Sequence, residues 1–358
     1  MSPPPSVATT DGTRSVPRLW IFGLWLLIFY AAWLSVLCLV EGSCALALEH
    51  WPMAAAMSAG SYFAGSTPMG GGTVGFPVLV LLFGLPASLG RDFSFAVQAI
   101  GMTSAAIYIY AAGQPLAKRM LGSAVVGACV GTPLGLTFIA PVIPGPLAKL
   151  LFAIVWASFG ILTLQRVDEL ARQEGVLVDS LKVERVTGFL TGLLGSALVA
   201  SITGVGVDMI IYVVLVLARR ADSRVGIPTS VVLMAITSII GVFWQTLVTG
   251  DVHPDVFGNW LAAAPVVAIG APFGALIVTR LGRKPTLLVV AVLCLGQFAW
   301  TLSQEYDRLG LVGIGLVLGG LFIVQRLFAE LSRWGARLAG AHEESMRPGE
   351  VGVAAETP

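Results

Sequence analysis

The chain alternates long apolar runs with short polar connections. A run of 18 or more apolar residues can cross a hydrocarbon core about 30 Å thick as a helix. Eight such runs predict spans over about 19–40, 92–112, 120–140, 147–165, 226–248, 259–279, 285–303 and 309–326. Two further regions, 53–84 and 186–218, are apolar but interrupted. The first breaks at Gly70, Gly71 and Gly72, and the second within SITGVGVD, residues 201–208. The arms beside each break run about 14 residues, or about 20 Å at helical rise. Such an arm passes a bilayer midplane without crossing. Each broken region therefore predicts either a re-entrant hairpin with its tip in mid-membrane or one long broken span.

Charge separates these readings. With the N-terminus inside and both regions as hairpins, every one of the 21 Lys and Arg except Arg91, Lys149 and Arg308 falls on the inner side. The loop TGDVHPDVFG (249–258), with two Asp and neither Lys nor Arg, falls outside. Making one or both regions full crossings moves basic segments outward, against the positive-inside rule. The pattern predicts two hairpins, with both termini cytoplasmic.

The halves also resemble one another. GMTSAA (101–106) aligns with AITSII (235–240), and the same shift places Gly70 on Gly204 and Gly72 on Gly206. VGTPLGL (130–136) matches IGAPFGA (269–275). Each half is a hairpin followed by three spans, and the two hairpins enter from opposite sides. The predicted fold is an all-α polytopic membrane protein: eight transmembrane helices plus two re-entrant Gly-rich helical hairpins, in two inverted-topology repeats. The expected order is an N-terminal tail (1–18), a first helix (19–41), repeat 1 (53–165), a cytoplasmic linker (166–185), repeat 2 (186–303), a last helix (309–333) and a polar tail (334–358). Interrupted helices at matching positions of inverted repeats point to a secondary transporter's binding site.

Composition agrees with a membrane class and narrows the chemistry. Of 358 residues, 56% are hydrophobic and 11% charged, where a soluble domain carries roughly a quarter charged residues. Net charge is +1, which gives no reason to expect nucleic acid. The three His (His50, His253, His342) and four Cys (Cys38, Cys44, Cys129, Cys294) form no metal-ligand spacing, so neither metal nor cofactor is expected. No HExxH and no phosphate-binding G-x-x-x-x-G-K-[ST] loop is present. GVGVD is similar to the GxGD of intramembrane aspartyl proteases, but one residue is inserted and no second membrane Asp accompanies it. An enzyme is not expected.

The breaks suggest anion chemistry. At a hairpin tip the chain must turn, and Gly tolerates positive φ without steric cost. The arm leaving each tip begins a helix whose first N–H groups lack intrahelical partners and carry the positive end of the dipole. An anion can approach bare backbone there. The candidate substrate-binding residues are Thr67, Gly70, Gly71, Gly72 and Thr73 at the first tip, and Thr203, Gly204 and Gly206 at the second. Gln98, Thr103, Ser104, Thr237 and Ser238, near the middle of their spans, are candidate hydroxyl or amide donors. Each hydroxyl has the alternative of bonding back to a helix carbonyl. Asp208 is the one acid placed deep in the membrane, where ionisable groups are rare and functional. It is a candidate proton carrier or a helix cap, and its counterpart in the first half is Val74. Arg91 is a candidate guide for an incoming anion, or half of an interfacial pair with Asp92. Gly127, Gly131 and Gly135, and also Gly315 with Gly319, read as close-packing faces.

AGSTPMGGGTVGFPVLVLLFGLP, with eight spans and a second Gly-rich copy after a charged loop, resembles the sulfite exporter TauE/SafE family. Gly65, Gly70, Gly71, Gly72 and Pro77 stand in that family's pattern. The second copy, LLGSALVASITGVGVDM, keeps Gly204 and Gly206 without a glycine triplet. The resemblance covers roughly residues 50–305. It implies a bacterial inner-membrane transporter of sulfite or organosulfonates acting in export. The residues alone suggest a secondary anion transporter working by alternating access, with lipid around it and a proton as candidate coupling ion. A channel-like facilitator, or a carrier of another small anion such as a carboxylate, is the alternative. Oligomeric state is left open.

Overall fold

The computed structural model describes residues 17–172, 181–281 and 283–346. Among these residues every regular element is helical. In chain order they are α1 (Leu19–Leu39), α2 (Ser43–Glu49), α3 (Trp51–Ser66), α4 (Gly72–Leu82), α5 (Ala87–Ala111), α6 (Lys118–Val142), α7 (Gly145–Arg172), α8 (Leu181–Thr203), α9 (Val207–Ala218), α10 (Ser223–Thr249), α11 (Val256–Leu281) and α12 (Arg283–Met346). Gly310, at φ 57°, bends α12 into two apolar stretches, Leu287–Tyr306 and Leu309–Leu338. Nine helices among the described residues are long and apolar enough to cross a membrane, and α4 and α9 are shorter apolar helices. The chain is a multi-pass membrane protein.

The eight expected spans are all found as helices, and the ninth is α8. Its 23 residues come to about 35 Å at helical rise, against the 14 or so residues expected for that arm. The first turns of α8 carry Lys182, Glu184 and Arg185, so they are helical without being apolar and hydropathy alone does not count them. The partner arm α3 has 16 residues. In α5 the helix starts at Ala87, five residues before the expected 92, directly after Pro86. The helical part of α12 continues through Met346, past the expected end of the last span, and the rest of the predicted tail lies outside the described residues. So do most of the N-terminal tail and part of the linker.

Packing between the halves is reciprocal. α3 lies against α11, and α8 lies against α6. α5 and α10 pack on each other, α5 also on α11 and α10 also on α6. α4 rests on α5 as α9 rests on α10. The first arm of each half is thus clasped by the G-x-P-x-G helix of the other.

Glycines explain how closely these pairs approach. A Cβ on Gly127 or Gly131 would strike the backbone of Phe189 or Leu193 on α8, and one on Gly192 would strike Ala124. A Cβ on Gly65 would strike Ala271, and one on Gly274 would strike Tyr62. With no apolar drive between helices in lipid, such close backbone packing holds helices together. The same reading does not hold at Gly315 and Gly319, which meet no described atom within 4 Å; Gly320 meets Ile154 of α7 instead. Gly320 sits outside the four-residue period on which the expected face was drawn.

Candidate functional site

Both breaks turn through left-handed glycines. Gly70 has φ 64°, Gly204 φ 78° and Gly206 φ 104°. A side chain at any of these positions would be strained by conformation alone. The two turns meet over α5. A Cβ on Gly72 would come within 2.8 Å of Ser94 Cβ and would also strike Val205, and a Cβ on Gly204 would lie 2.7 Å from Ser94 Cβ. Ser94 is small and ties its own hydroxyl back to Gly90 O at 2.6 Å, leaving room for both tips.

Gln98, one turn further along α5, joins them. It is 1% exposed. Its Nε2 donates to Ser94 O at 3.1 Å and to Gly204 O at 3.0 Å. Its Oε1 presses on Gly70 and has no hydrogen-bond partner. Gln98 and Gly71 also line a small cleft with Met57, Ser61, Val97 and Ala271.

The two helix starts differ. At tip 2, Asp208 is fully buried. Its Oδ1 accepts from the Gly206 amide at 3.1 Å and the Met209 amide at 3.0 Å. This carboxylate caps α9 with its own charge, as the dipole favours. Its Oδ2 has no partner and faces Gly70. At tip 1 no acid is present, and α4 begins at Gly72 with amides that have no partner inside the helix by geometry. Two bare helix starts were expected; the second start is occupied by its own residue.

The family model of the sulfite exporter TauE/SafE proteins matches residues 52–301, well over half of the chain, and spans both tips. The chain belongs to the TauE/SafE family. No curated protein and no solved structure matches it. TauE/SafE membership implies a membrane transporter of sulfite or related anions.

The other expected residues of this TauE/SafE chain are placed variously. Thr67 bonds back to Phe63 O, Thr73 to Met69 O, Thr203 to Val199 O and Thr237 to Leu233 O. These hydroxyls take the helix-carbonyl alternative. Thr103 and Ser238 hold buried hydroxyls without partners, and neither lines the cleft. Ser104 donates to Ala268 O of α11. That carbonyl is freed because Pro272, four residues on, has no N–H. The Thr-Ser motif of one half therefore completes the G-x-P-x-G motif of the other. In the same way Trp33 Nε1 of α1 donates at 3.0 Å to Leu261 O, the carbonyl that Pro265 leaves free.

Arg91 is buried and forms an ion pair with Asp92, Nε to Oδ1 at 2.7 Å. Asp92 also accepts from Gln245 Nε2 at 2.5 Å and from the His253 amide at 3.1 Å. Asp92 is thus a second deeply buried acid, which the sequence reading placed at a surface because it began α5 too late. The pair fastens the start of α5 to the loop between α10 and α11.

Trp156 went unnoticed in the sequence. It is fully buried on α7, donates from Nε1 to Thr73 Oγ1 at 3.2 Å, and packs its ring against Gly206. Phe152 stacks on it at 4.0 Å between centroids, and Phe76 of α4 stacks on Phe152 at 4.6 Å. The only sequence signal is an aromatic pair at i, i+4, which in an apolar helix has no distinguishing mark.

Proposed function

We propose that this TauE/SafE protein is a secondary transporter that moves a small anion, sulfite or an organosulfonate, out of the cell across the inner membrane. Alternating access carries the anion past a site between the two tips. The observation that carries this reading is the meeting of two left-handed glycine turns, at Gly70 and Gly204, on one buried glutamine. Backbone approached this closely is built for contact without side chains. Irregular backbone inside a membrane region requires protein, water or solute to satisfy it.

The reciprocal packing of α3 on α11 and α8 on α6 supports two repeats of opposite topology. The short α4 and α9, with 11 and 12 residues between their printed bounds, support re-entrant second arms. Tip 1 supplies the bare helix start that an anion takes, flanked by Gly70, Gly71 and Gly72. Gln98 sits beside it as the positioning amide. Because Gly72 packs directly on Val205, an anion the size of a sulfonate has to part the tips. That requirement favours a carrier with discrete states over an open pore. Thr73 and Thr203 set the tip conformations through their back-bonds rather than binding the anion.

The test is flux in proteoliposomes with sulfite, sulfoacetate, taurine, sulfate and acetate. Saturable flux of a sulfur anion with counterflow supports the carrier. Flux without saturation favours a facilitator. Acetate flux without sulfur-anion flux keeps the anion site and discards the sulfur substrate.

A further inference from the structure

The void face of Gly70 is approached by two oxygens and no donor. Asp208 Oδ2 would lie 2.8 Å from a Cβ built there, and Gln98 Oε1 lies closer still. Both side chains are almost wholly buried, and both of these oxygens lack partners. The glutamine cannot relieve this by turning over. Its Nε2 is held by the carbonyls of Ser94 and Gly204, and a flipped amide would set an oxygen against both. The carboxylate cannot turn either, because Oδ1 is held by two amides. Two fixed acceptors facing one spot are satisfied together by a single hydrogen placed on one of them.

No charged neighbour takes that role. Tip 1 and α4 carry no titratable group. On α5, Arg91 is paired with Asp92. On α7, Lys149 bonds Glu305, Arg166 bonds Ser332, and Asp168 and Glu169 lie in the last turns beyond it. α8 carries Lys182, Glu184 and Arg185 at its far end, and α10 carries Arg224 in its first turn, where Asp222 caps its amide. On α9 itself, the Tyr212 hydroxyl meets Ser223. None of these bonds Asp208.

We propose that Asp208 and Gln98 form a proton site across the two tips, and that the transported anion binds at tip 1 only when this site holds its proton. With the proton on Oδ2 the carboxyl is neutral and donates to Gln98 Oε1. Without it, a carboxylate faces the amides that an anion would occupy, and like charges at that range repel strongly in a poorly screened site. Proton and anion then bind together and cross together, in the same direction. This rests on the anion site proposed above at tip 1. It adds the sign of the coupling, which the anion site by itself leaves free.

The experiment uses full-length protein in proteoliposomes, with methanesulfonate and sulfite as probes and a pH dye in the lumen. Methanesulfonate keeps one charge at every working pH, so its pH response belongs to the protein. An inward anion gradient should acidify the lumen, and apparent affinity should fall with rising pH, by up to about tenfold per pH unit for one coupled proton. Asp208→Asn keeps an oxygen for the two amides and offers Gln98 Oε1 a permanent donor. It should move the anion with no luminal pH change and a flat pH profile. Gln98→Leu should shift the wild-type profile while keeping acidification. Anion flux with no luminal pH change, or with alkalinisation, overturns the proton site and leaves the carrier standing. Flux that needs sodium in place of choline, without acidification, also overturns it by assigning the two oxygens to a metal cation. Absence of both binding and flux for every anion in both panels removes the carrier reading, and the proton site with it.

Discussion

Tip 1 and tip 2 make the same turn and present opposite chemistry. Each reverses through a left-handed glycine, at Gly70 and Gly204, and each starts a short apolar helix. At tip 2 the amides of Gly206 and Met209 are already held by Asp208. At tip 1 the corresponding position is Val74, which packs on Gly60 and offers nothing to the helix start. A duplicated turn has therefore been divided between two tasks, one end open to negative charge and one supplying it. Sequence identity between the halves reports the shared backbone; the differences report the division of labour.

The largest expected effect tests the open end. A Cβ at Gly71 would meet only the flexible end of Met57 at 3.2 Å and Ala64 at 3.5 Å, so Gly71→Leu should fold and fill the cleft. Anion flux should fall about 100-fold, equivalent to about 3 kcal/mol, with the same elution profile in detergent. Wild-type flux from this variant would remove tip 1 from the site. The next effect erases the difference between the tips. Val74→Asp places an acid on the first turn of α4 and should weaken anion affinity by about tenfold, measured as apparent KM for flux. The loss should shrink as pH is lowered, since protonation of the new carboxyl removes its charge. An unchanged KM at neutral pH would mean that the asymmetry is incidental.

The smallest effect concerns stability and compares the two Thr-Ser motifs. Ser104→Ala leaves Ala268 O without its donor and should cost about 1–3 kcal/mol. Ser238→Ala removes a hydroxyl with no partner and should stay within about 0.5 kcal/mol. Thermal unfolding in detergent checks both. Equal losses would show that the two motifs serve their halves alike.

Hydropathy and glycine made much of this legible. The long spans, both breaks and the three repeated motifs are local features, and local features survive in a linear string. Contacts between distant segments do not. Nothing in TS at 103–104 announces that its serine serves a proline 168 residues later, although the recurrence of both motifs in both halves hints that they belong together. Charged first turns hid the length of α8, because a helix that leaves the apolar layer stops registering as hydrophobic. A late start for α5 put Asp92 at a surface, where one more turn buries it under Gln245 and His253. Trp156 was invisible because an aromatic residue in an apolar helix looks the same whether it faces lipid or braces two tips. Most of the proposed hydroxyl donors turned back on their own helices, a choice set by rotamer and not by residue type.

Reciprocal clasping has a consequence for how the chain is made. α3 emerges early but finds its close-packed partner, α11, only after some two hundred further residues have been synthesised. Until then Gly65 presents bare backbone to whatever lies beside it, and the first tip has no opposite number to rest on. The first half is therefore inserted before it can be assembled, and its final packing waits on the last part of the second. Two halves expressed from separate messages should each enter a membrane, yet neither should reach its finished form until the other arrives.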